Sequence, residues 1–414
     1  MLEAGAELVQ VARVQIPVFA LRPLAMRSTA LLLTLVTIGA CRLPADPGPN
    51  YETPLPFGAP ALLPLGPDDP RPHMGSAWIN RADVLPALER SIGWTSSKHA
   101  KQFFPIAGIP HELALASLER LKFLLESSSN SSDFNAALMA EFDIFKSAGW
   151  NGRGDGVLFT GYCTPILDGS LTRSSDYRHP LYSLPGDLVK AVDGTILGRR
   201  TERGLEPYPT RGVIEASGLL ADQGLELVWL RDPLDAFIAH VNGSAFVRLI
   251  EGGEMRLGYA GKNGQPYTSL GAELVRDGEL PASELSLAKL RTWAADNPSR
   301  VSDYLRRNDS YVFFAPLDGN PHGSLNVEVT AQRSLATDKS LFPRGAAVFV
   351  DTLLPVPSGG SMPFQQLMFD QDTGGAIRTA GRADIYLGVG PGAERMAGAT
   401  RSEGQLYYLF LRRE

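Results

Sequence analysis

The chain is poor in several things that would name a function at once. Of its 414 residues two are cysteines, Cys41 and Cys163, and Cys41 closes an N-terminal leader. Cys163 is then the one thiol left to the folded part, so no intramolecular disulfide can hold it and its stability must come from a packed core. A catalytic thiol would need a partner histidine, which the sequence does not place beside Cys163, and a lone cysteine reads as packing. Positive charge is also scarce. Lys and Arg number 39 against 45 Asp and Glu, for a net charge of -6, and no basic run occurs, which argues against a nucleic-acid partner. The histidines, His73, His99, His111, His179, His240 and His322, are scattered without His-x-x-x-His or cysteine pairs, so no metal is implied. Neither is a cofactor: Gly388 to Gly392 reads as lacking the strand, turn and helix context of a phosphate or dinucleotide loop. No internal repeat is visible.

What is present is a globular composition, 44% hydrophobic and 20% charged, in a chain long enough for about two domains at ~150 residues each. The 42 Gly and 31 Pro, with 8% aromatics, predict many turns between short strands. From Met26 the leader reads MRSTALLLTLVTIGAC: a basic residue, an apolar stretch from Ala30 to Ile38, then small residues before Cys41. The stretch is short of the ~20 residues of a spanning helix. Ile38-Gly39-Ala40-Cys41 resembles a bacterial lipobox, whose cysteine is lipidated and becomes the first residue after cleavage; an ordinary signal peptide or short anchor is the alternative. Residues 1 to 25, with Arg13 and Arg22, read as an upstream extension, which makes Met26 a candidate start. The order is then a leader, 1–41, a proline-rich tether, 42–72, and a folded part from about His73.

Leu115, Leu118, Leu121 and Leu125 share one face of a helix predicted from His111. A second helix is predicted with Ser132 or Asp133 as cap and Phe134, Leu138, Phe142 and Phe145 on its apolar face. From Val157 the pattern turns to strands: GVLFTGYCTPILDG, GLELVWL, and DAFIAHVNGSAFVRLIEGGEMRLGYAG with a hairpin turn at Glu251 to Glu254. A helical interlude from Ser283, broken near Asn297 and Pro298, precedes the strands SYVFFAP, AAVFVDT, QQLMFDQD, RADIYLG and GQLYYLFLRR. The fold class is mainly β with N-terminal helices.

Gln371 to Gly388 reads QDTGGAIRTAGRADIYLG. Its Asp-Thr-Gly suggests an aspartic protease, but such an enzyme sets two of these turns face to face around one proton. Here there is one, preceded by Asp370 and Gln371, so a protease would need a second copy of the chain. In the strand that follows, alternation puts Ala383, Ile385 and Leu387 on one face and Arg382, Asp384 and Tyr386 on the other. A carboxyl on that polar face, withdrawn from water at a groove floor, suits a general acid, with Gly374 and Gly375 allowing close approach of a ligand. The bland alternative is Asp384 paired with Arg382 and Asp372 in an Asx turn.

GVLFTGYCTPILDGSLTRSSDYRHPLY, the blocks around YPTRGVIEASGLL and HVNGSAFVRL, RLGYAGKNGQPYTSLG, NDSYVFF and LMFDQDTGGAIRTAGRADIYLGVGPGAERMAG together resemble the membrane-bound lytic murein transglycosylase A family. They run in the family's order from about Val157 to the C-terminus. The resemblance implies an outer-membrane lipoprotein that cleaves the β-1,4 bond between N-acetylmuramic acid and N-acetylglucosamine of peptidoglycan glycan strands. The muramic acid C6 hydroxyl closes onto C1, leaving a 1,6-anhydro product. It also implies a double-psi β-barrel (the three-aspartate, or 3D, domain; 73–155 and 313–414), an inserted second β-barrel (156–312) and a substrate groove between them. Asp384 matches the catalytic aspartate, Asp372 a second, and Asp351 falls where the third is expected. Tyr162, Thr160, Gly161, Asn242, Ser244, Tyr259, Gly374 and Gly375 follow as substrate-binding candidates. The chain departs from the family pattern at Cys163, Asn242, Ala245, Phe246 and Ala383, near-groove positions that bear on subsite preference. A barrel of this kind could also bind peptidoglycan without cutting it. Arg42 after the lipobox cysteine, in place of an aspartate retention signal, points to the outer membrane.

Overall fold

The structure, a computed structural model, describes residues 48–191, 194–356 and 359–413; the leader with Cys41, and the tether before Gly48, lie outside the described residues. In chain order the body has strand β1 (Leu62–Pro64), helices α1 (Gly75–Ile79), α2 (Arg81–Thr95), α3 (His111–Ser127) and α4 (Ser131–Glu141), then β2 (Phe142–Ser147) and β3 (Val157–Thr164). A second set follows: β4 (Ile166–Ser170), β5 (His179–Tyr182), the small sheet β6 (Leu188–Lys190), β7 (Ile196–Thr201) and β8 (Gly204–Glu206), α5 (Arg211–Ser217), β9 (Glu226–Leu230), α6 (Pro233–Asn242), β10 (Ala245–Leu249), β11 (Glu254–Lys262), α7 (Leu270–Arg276), α8 (Leu287–Asp296), α9 (Val301–Leu305) and β12 (Val312–Pro316). The chain then returns through β13 (Ser334–Ala336), β14 (Ala347–Pro355), β15 (Ser361–Asp372), β16 (Arg382–Val389), α10 (Gly390–Ala399) and β17 (Arg401–Leu411).

β17 closes the first sheet. Its N-terminal half pairs with β3 and its C-terminal half with β14, so β17, β14, β15, β13, β16 and β3 form a ring, while β2 and β1 extend outward from β17. The handover needs Gly404, where a Cβ would lie 2.2 Å from the Asp351 carbonyl oxygen. The ring mixes parallel pairs, β13 with β15 and β16 with β3, with antiparallel ones. This is the double-psi barrel. Its interior is filled by Phe159, Val348, Val350, Ala383, Ile385, Leu406 and Tyr408 among others. Helices α1 to α4 cover the outer face made by Phe349, Leu367, Phe369, Tyr407 and Leu409. The second sheet runs β12-β11-β10-β4-β9-β5, and a bridge between Ser183 and Phe314 ties its last strand back to its first around a core of its own. Among the described residues no helix is long and apolar enough to cross a membrane.

Several local expectations change. The second N-terminal helix stops at Glu141, and its cap is Asn130, whose side chain accepts the N–H groups of Ser132 and Asp133. Phe142 and Phe145 instead lie in β2, because FDIFKS pairs with the C-terminal strand, a partner far away in sequence. DAFIAHVN, expected as strand, is helix α6: Asp232 caps it, Pro233 opens it and Gly243, at φ 68°, closes it in the left-handed region. Gly388 to Gly392 does join a strand to a helix, β16 to α10. Ala61 and Leu62 belong to the barrel core and β1 pairs with β2, so the packed body begins inside the expected tether; proline is tolerated there because β1 is an edge strand. The pairings also move both ends of the expected insert: β3 belongs to the barrel ring and β12 to the second sheet.

Candidate active site

The alternation of β16 fixes the site. Ala383, Ile385 and Leu387 enter the barrel core, and burying such side chains stabilises by about 1.5–3 kcal/mol each for Ile and Leu. A slip of one residue would expose all three, so Arg382, Asp384 and Tyr386 are held on the outer face. Parallel pairing with β3 sets Asp384 beside Thr160 and Tyr386 beside Tyr162. On the other side Ala336 of β13 pairs with both Asp384 and Asp372, which brings the two aspartates to neighbouring parts of one surface.

The two carboxyls are treated differently. Asp372 is saturated: Oδ1 accepts the N–H groups of Ser324 (2.7 Å) and Thr373 (2.8 Å), and Oδ2 accepts the Tyr162 hydroxyl at 2.8 Å. Burial pushes its pKa up, and these three donors pull it back. Asp384 keeps part of its surface, yet its Oδ1 is buried with no hydrogen-bond partner among the described residues. Burial pushes this carboxyl up to about 6, against the opposing pull of the Thr160 hydroxyl and the Arg382 guanidinium. Beneath them Asp370, wholly buried, accepts from Thr337 Oγ1 (2.7 Å) and the Tyr408 hydroxyl (2.9 Å) and is ion-paired with buried Lys339. Burial pushes Asp370 up and Lys339 down, and each opposes the shift of the other. Thr337 of this cluster also holds the turn, its carbonyl accepting from Thr373 Oγ1 at 2.8 Å.

The other candidates divide. Tyr162 packs against Tyr386 with ring centroids 5.1 Å apart. Ser244 Oγ, Thr164 Oγ1 and the Tyr386 hydroxyl form a chain at 3.0 and 3.1 Å that ties the second barrel to β3 and β16. Asn242 Oδ1 accepts the Cys163 N–H at 3.3 Å, and the Cys163 thiol, buried and pushed up to about 12, is no nucleophile near neutral pH. Tyr259, 51% exposed, stands beside Gly243 on the second barrel. Gly374 and Gly375 form the turn after Asp372, with Tyr267 next to Gly375.

Gly161 points the other way: a Cβ there would meet Leu387 and Ala397, so its smallness serves the packing of α10 against β3 and not a ligand. Asp351 is set apart too. It accepts from Gln365 at 3.1 Å, and Gln365 precedes Asp372 along β15 by about 20 Å at ~3.3 Å per residue. Sequence reasoning missed Asp370, Lys339 and Tyr267. Tyr267 lies in the quoted KNGQPYTSLG block, and Arg382 and Asp384 both act on its hydroxyl, so that block carried the signal; Lys339 lies in none of the quoted blocks.

Residues 158–315 match the MltA specific insert domain and residues 333–410 the 3D domain. The membrane-bound lytic murein transglycosylase A of Vibrio cholerae is 32% identical over 349 residues, which cover 82% of this chain and 86% of that protein. The Escherichia coli protein of the same name is 32% identical over 259 residues, 61% of this chain and 65% of its own. Among solved structures, a membrane-bound lytic murein transglycosylase from Agrobacterium tumefaciens superposes with a TM-score of 0.70 at 27% identity, covering 85% of this chain and 98% of its own. E. coli MltA with bound chitohexaose shares the fold, with a TM-score of 0.66 at 24% identity over 90% of this chain and 100% of its own. Two domain matches in the order of the two barrels, and a relative aligned along most of both chains, place this chain in the membrane-bound lytic murein transglycosylase A family.

Proposed function

We propose that the protein is a lytic transglycosylase that cuts the β-1,4 bond between N-acetylmuramic acid and N-acetylglucosamine with Asp384 as its one titrating acid and base. The observation that carries this reading is the contrast between a bare, shielded Asp384 Oδ1 and a saturated Asp372. A carboxyl near pKa 6 holds a proton in a useful fraction of molecules at mildly acidic to neutral pH. Asp384 gives that proton to the glycosidic oxygen as the C1–O bond breaks. As carboxylate it then takes the proton of the C6 hydroxyl, whose oxygen closes onto C1. Atoms balance without water, and the acid is regenerated. Because the substrate supplies its own nucleophile, the second carboxylate of ordinary glycosidases is not required, and Asp372 with Tyr162 orients and polarises. Cys41 serves as the lipid anchor, and the outer membrane is the proposed location; recovery in the inner-membrane fraction would refute that placement.

The deciding experiment digests purified sacculi with a soluble form that starts after Cys41, beside Asp384→Asn, and weighs the released muropeptides. Anhydro-muropeptides from the parent and a loss of about 10²–10⁴-fold in the variant are expected. Products one water heavier mean hydrolysis and a second carboxylate. Sedimentation with sacculi and no product means a binding module.

A further inference from the structure

A cavity of about 550 Å³ opens beside the site, lined by Asp83, Arg90, Glu328, Thr330, Arg333 and Tyr386 among others. Its lining comes from α2, the segment before β13 and the end of β16; the second barrel contributes nothing to it. It therefore lies on the side of the first barrel. Tyr386 floors it two residues along β16 from Asp384, about 7 Å at the rise of a strand.

Its charges are unevenly matched. Arg90 at the wall is paired with Glu328 at 2.6 Å and donates to Thr330 Oγ1 at 2.9 Å. Arg333 is 6% exposed and has no carboxylate within salt-bridge distance among the described residues. Its Nη1 donates to the Gln332 carbonyl (3.0 Å) and to Gln366 Oε1 (2.6 Å), and its Nε is buried with no partner among the described residues. Exposed Asp83 lies at the mouth. A buried guanidinium is costly unless an anion completes it, and its fork suits a carboxylate.

We infer that this cavity receives the peptide stem of the muramic acid being cut, with a stem carboxylate on Arg333. The inference rests on the transglycosylase reading for its substrate. Unmodified N-acetylglucosamine is uncharged and the lactyl group of muramic acid is consumed in its amide link to the stem, so the carboxylates of such a strand lie in the peptide. A side chamber about 7 Å along β16 from Asp384, with no lining from the second barrel, is where a branch from that sugar has room. Exposed Asp83 at the same cavity suits an amino group of the stem.

The test compares two purified substrates, peptide-bearing glycan strands and the same strands stripped by an amidase. The unaltered enzyme is expected to favour the peptide-bearing strand on the order of tenfold in kcat/KM, and Arg333→Met to bring that ratio close to one. Equal rates on both strands with the unaltered enzyme overturn the proposal. Free stem peptide titrated calorimetrically into the unaltered protein reads binding without catalysis and without a mutation that could impair folding. Saturable binding, weakened on the order of tenfold when the stem carboxylates are amidated, supports the assignment. No binding, or binding indifferent to amidation, overturns it. Cleavage of neither strand by the unaltered enzyme refutes the transglycosylase reading, and the titration still decides the cavity.

Discussion

Asp370 on β15 and Asp384 on β16 sit in one barrel with β13 between their strands, and both have lost much of their contact with water. The inner one is surrounded by donors: Lys339, the Thr337 hydroxyl and the Tyr408 hydroxyl. The outer one keeps a buried oxygen that nothing completes among the described residues. Desolvation raises both carboxyls. In the first case the surrounding donors turn a costly charge into a brace for the Asp372 turn; in the second the cost is kept, as a proton held more tightly than a carboxyl in water would hold it. Burial alone does not mark an aspartate as catalytic. Burial with its bonding capacity unfilled is the ground on which Asp384 is proposed.

The inner cluster depends most on Lys339. Lys339→Met leaves Asp370 buried without its cation, and urea unfolding should register a loss of about 3–5 kcal/mol; adding Asp370→Asn should restore part of it. If Lys339→Met is neutral, the inner cluster is not a brace. Asp384→Asn should act in the opposite sense on stability. The folded carboxyl titrates near 6 and an unfolded aspartate near ~3.9, so between those values the folded state holds a proton that the unfolded chain lacks. Wild-type stability therefore rises as pH falls from about 6 toward about 4, and above pH 6 the folded state bears the full penalty. The variant should be more stable by about 1–3 kcal/mol at pH 7, with the gap closing near pH 4; a gap constant across that range would remove the basis for assigning Asp384 its proton. Tyr162→Phe removes one donor from Asp372. A fall in kcat on the order of tenfold is expected, with the activity limb near pH 6 kept because Asp384 still sets it. Asn130→Ala, which removes the cap of α4 far from either aspartate, should lower stability by about 1 kcal/mol and leave kcat unaltered.

Much of this was readable in advance where the information is local. The faces of β16 followed from RADIYL, the turn between β10 and β11 from its glycine pair, and α8 and α9 from the break at Asn297 and Pro298. Reading failed where the outcome depends on a distant partner or on competing signals. FDIFKS carries an apolar spacing that continues a helix, and it becomes strand because β17 offers it a ladder. In α6 a cap, an opening proline and a closing glycine outweighed a β-branched interior. Gly161, a substrate-binding candidate by resemblance, is room for a helix.

Local sequence settled which residues can be buried together: alternation and capping are properties of a few consecutive side chains, and they put Asp384 on a polar face and drew strands such as β14 to β17 and the helices α3, α4, α8 and α9, but not α1, α2, α5, α7 or α10. Tertiary structure decided what each buried carboxyl would meet. Lys339, Tyr408 and Tyr162 reach the aspartates from separate strands and loops, and the bare oxygen of Asp384 is defined by the donors the fold withholds. A pKa is set by everything within a few ångströms in space, and a linear chain fixes that surrounding only once the ring of strands has closed.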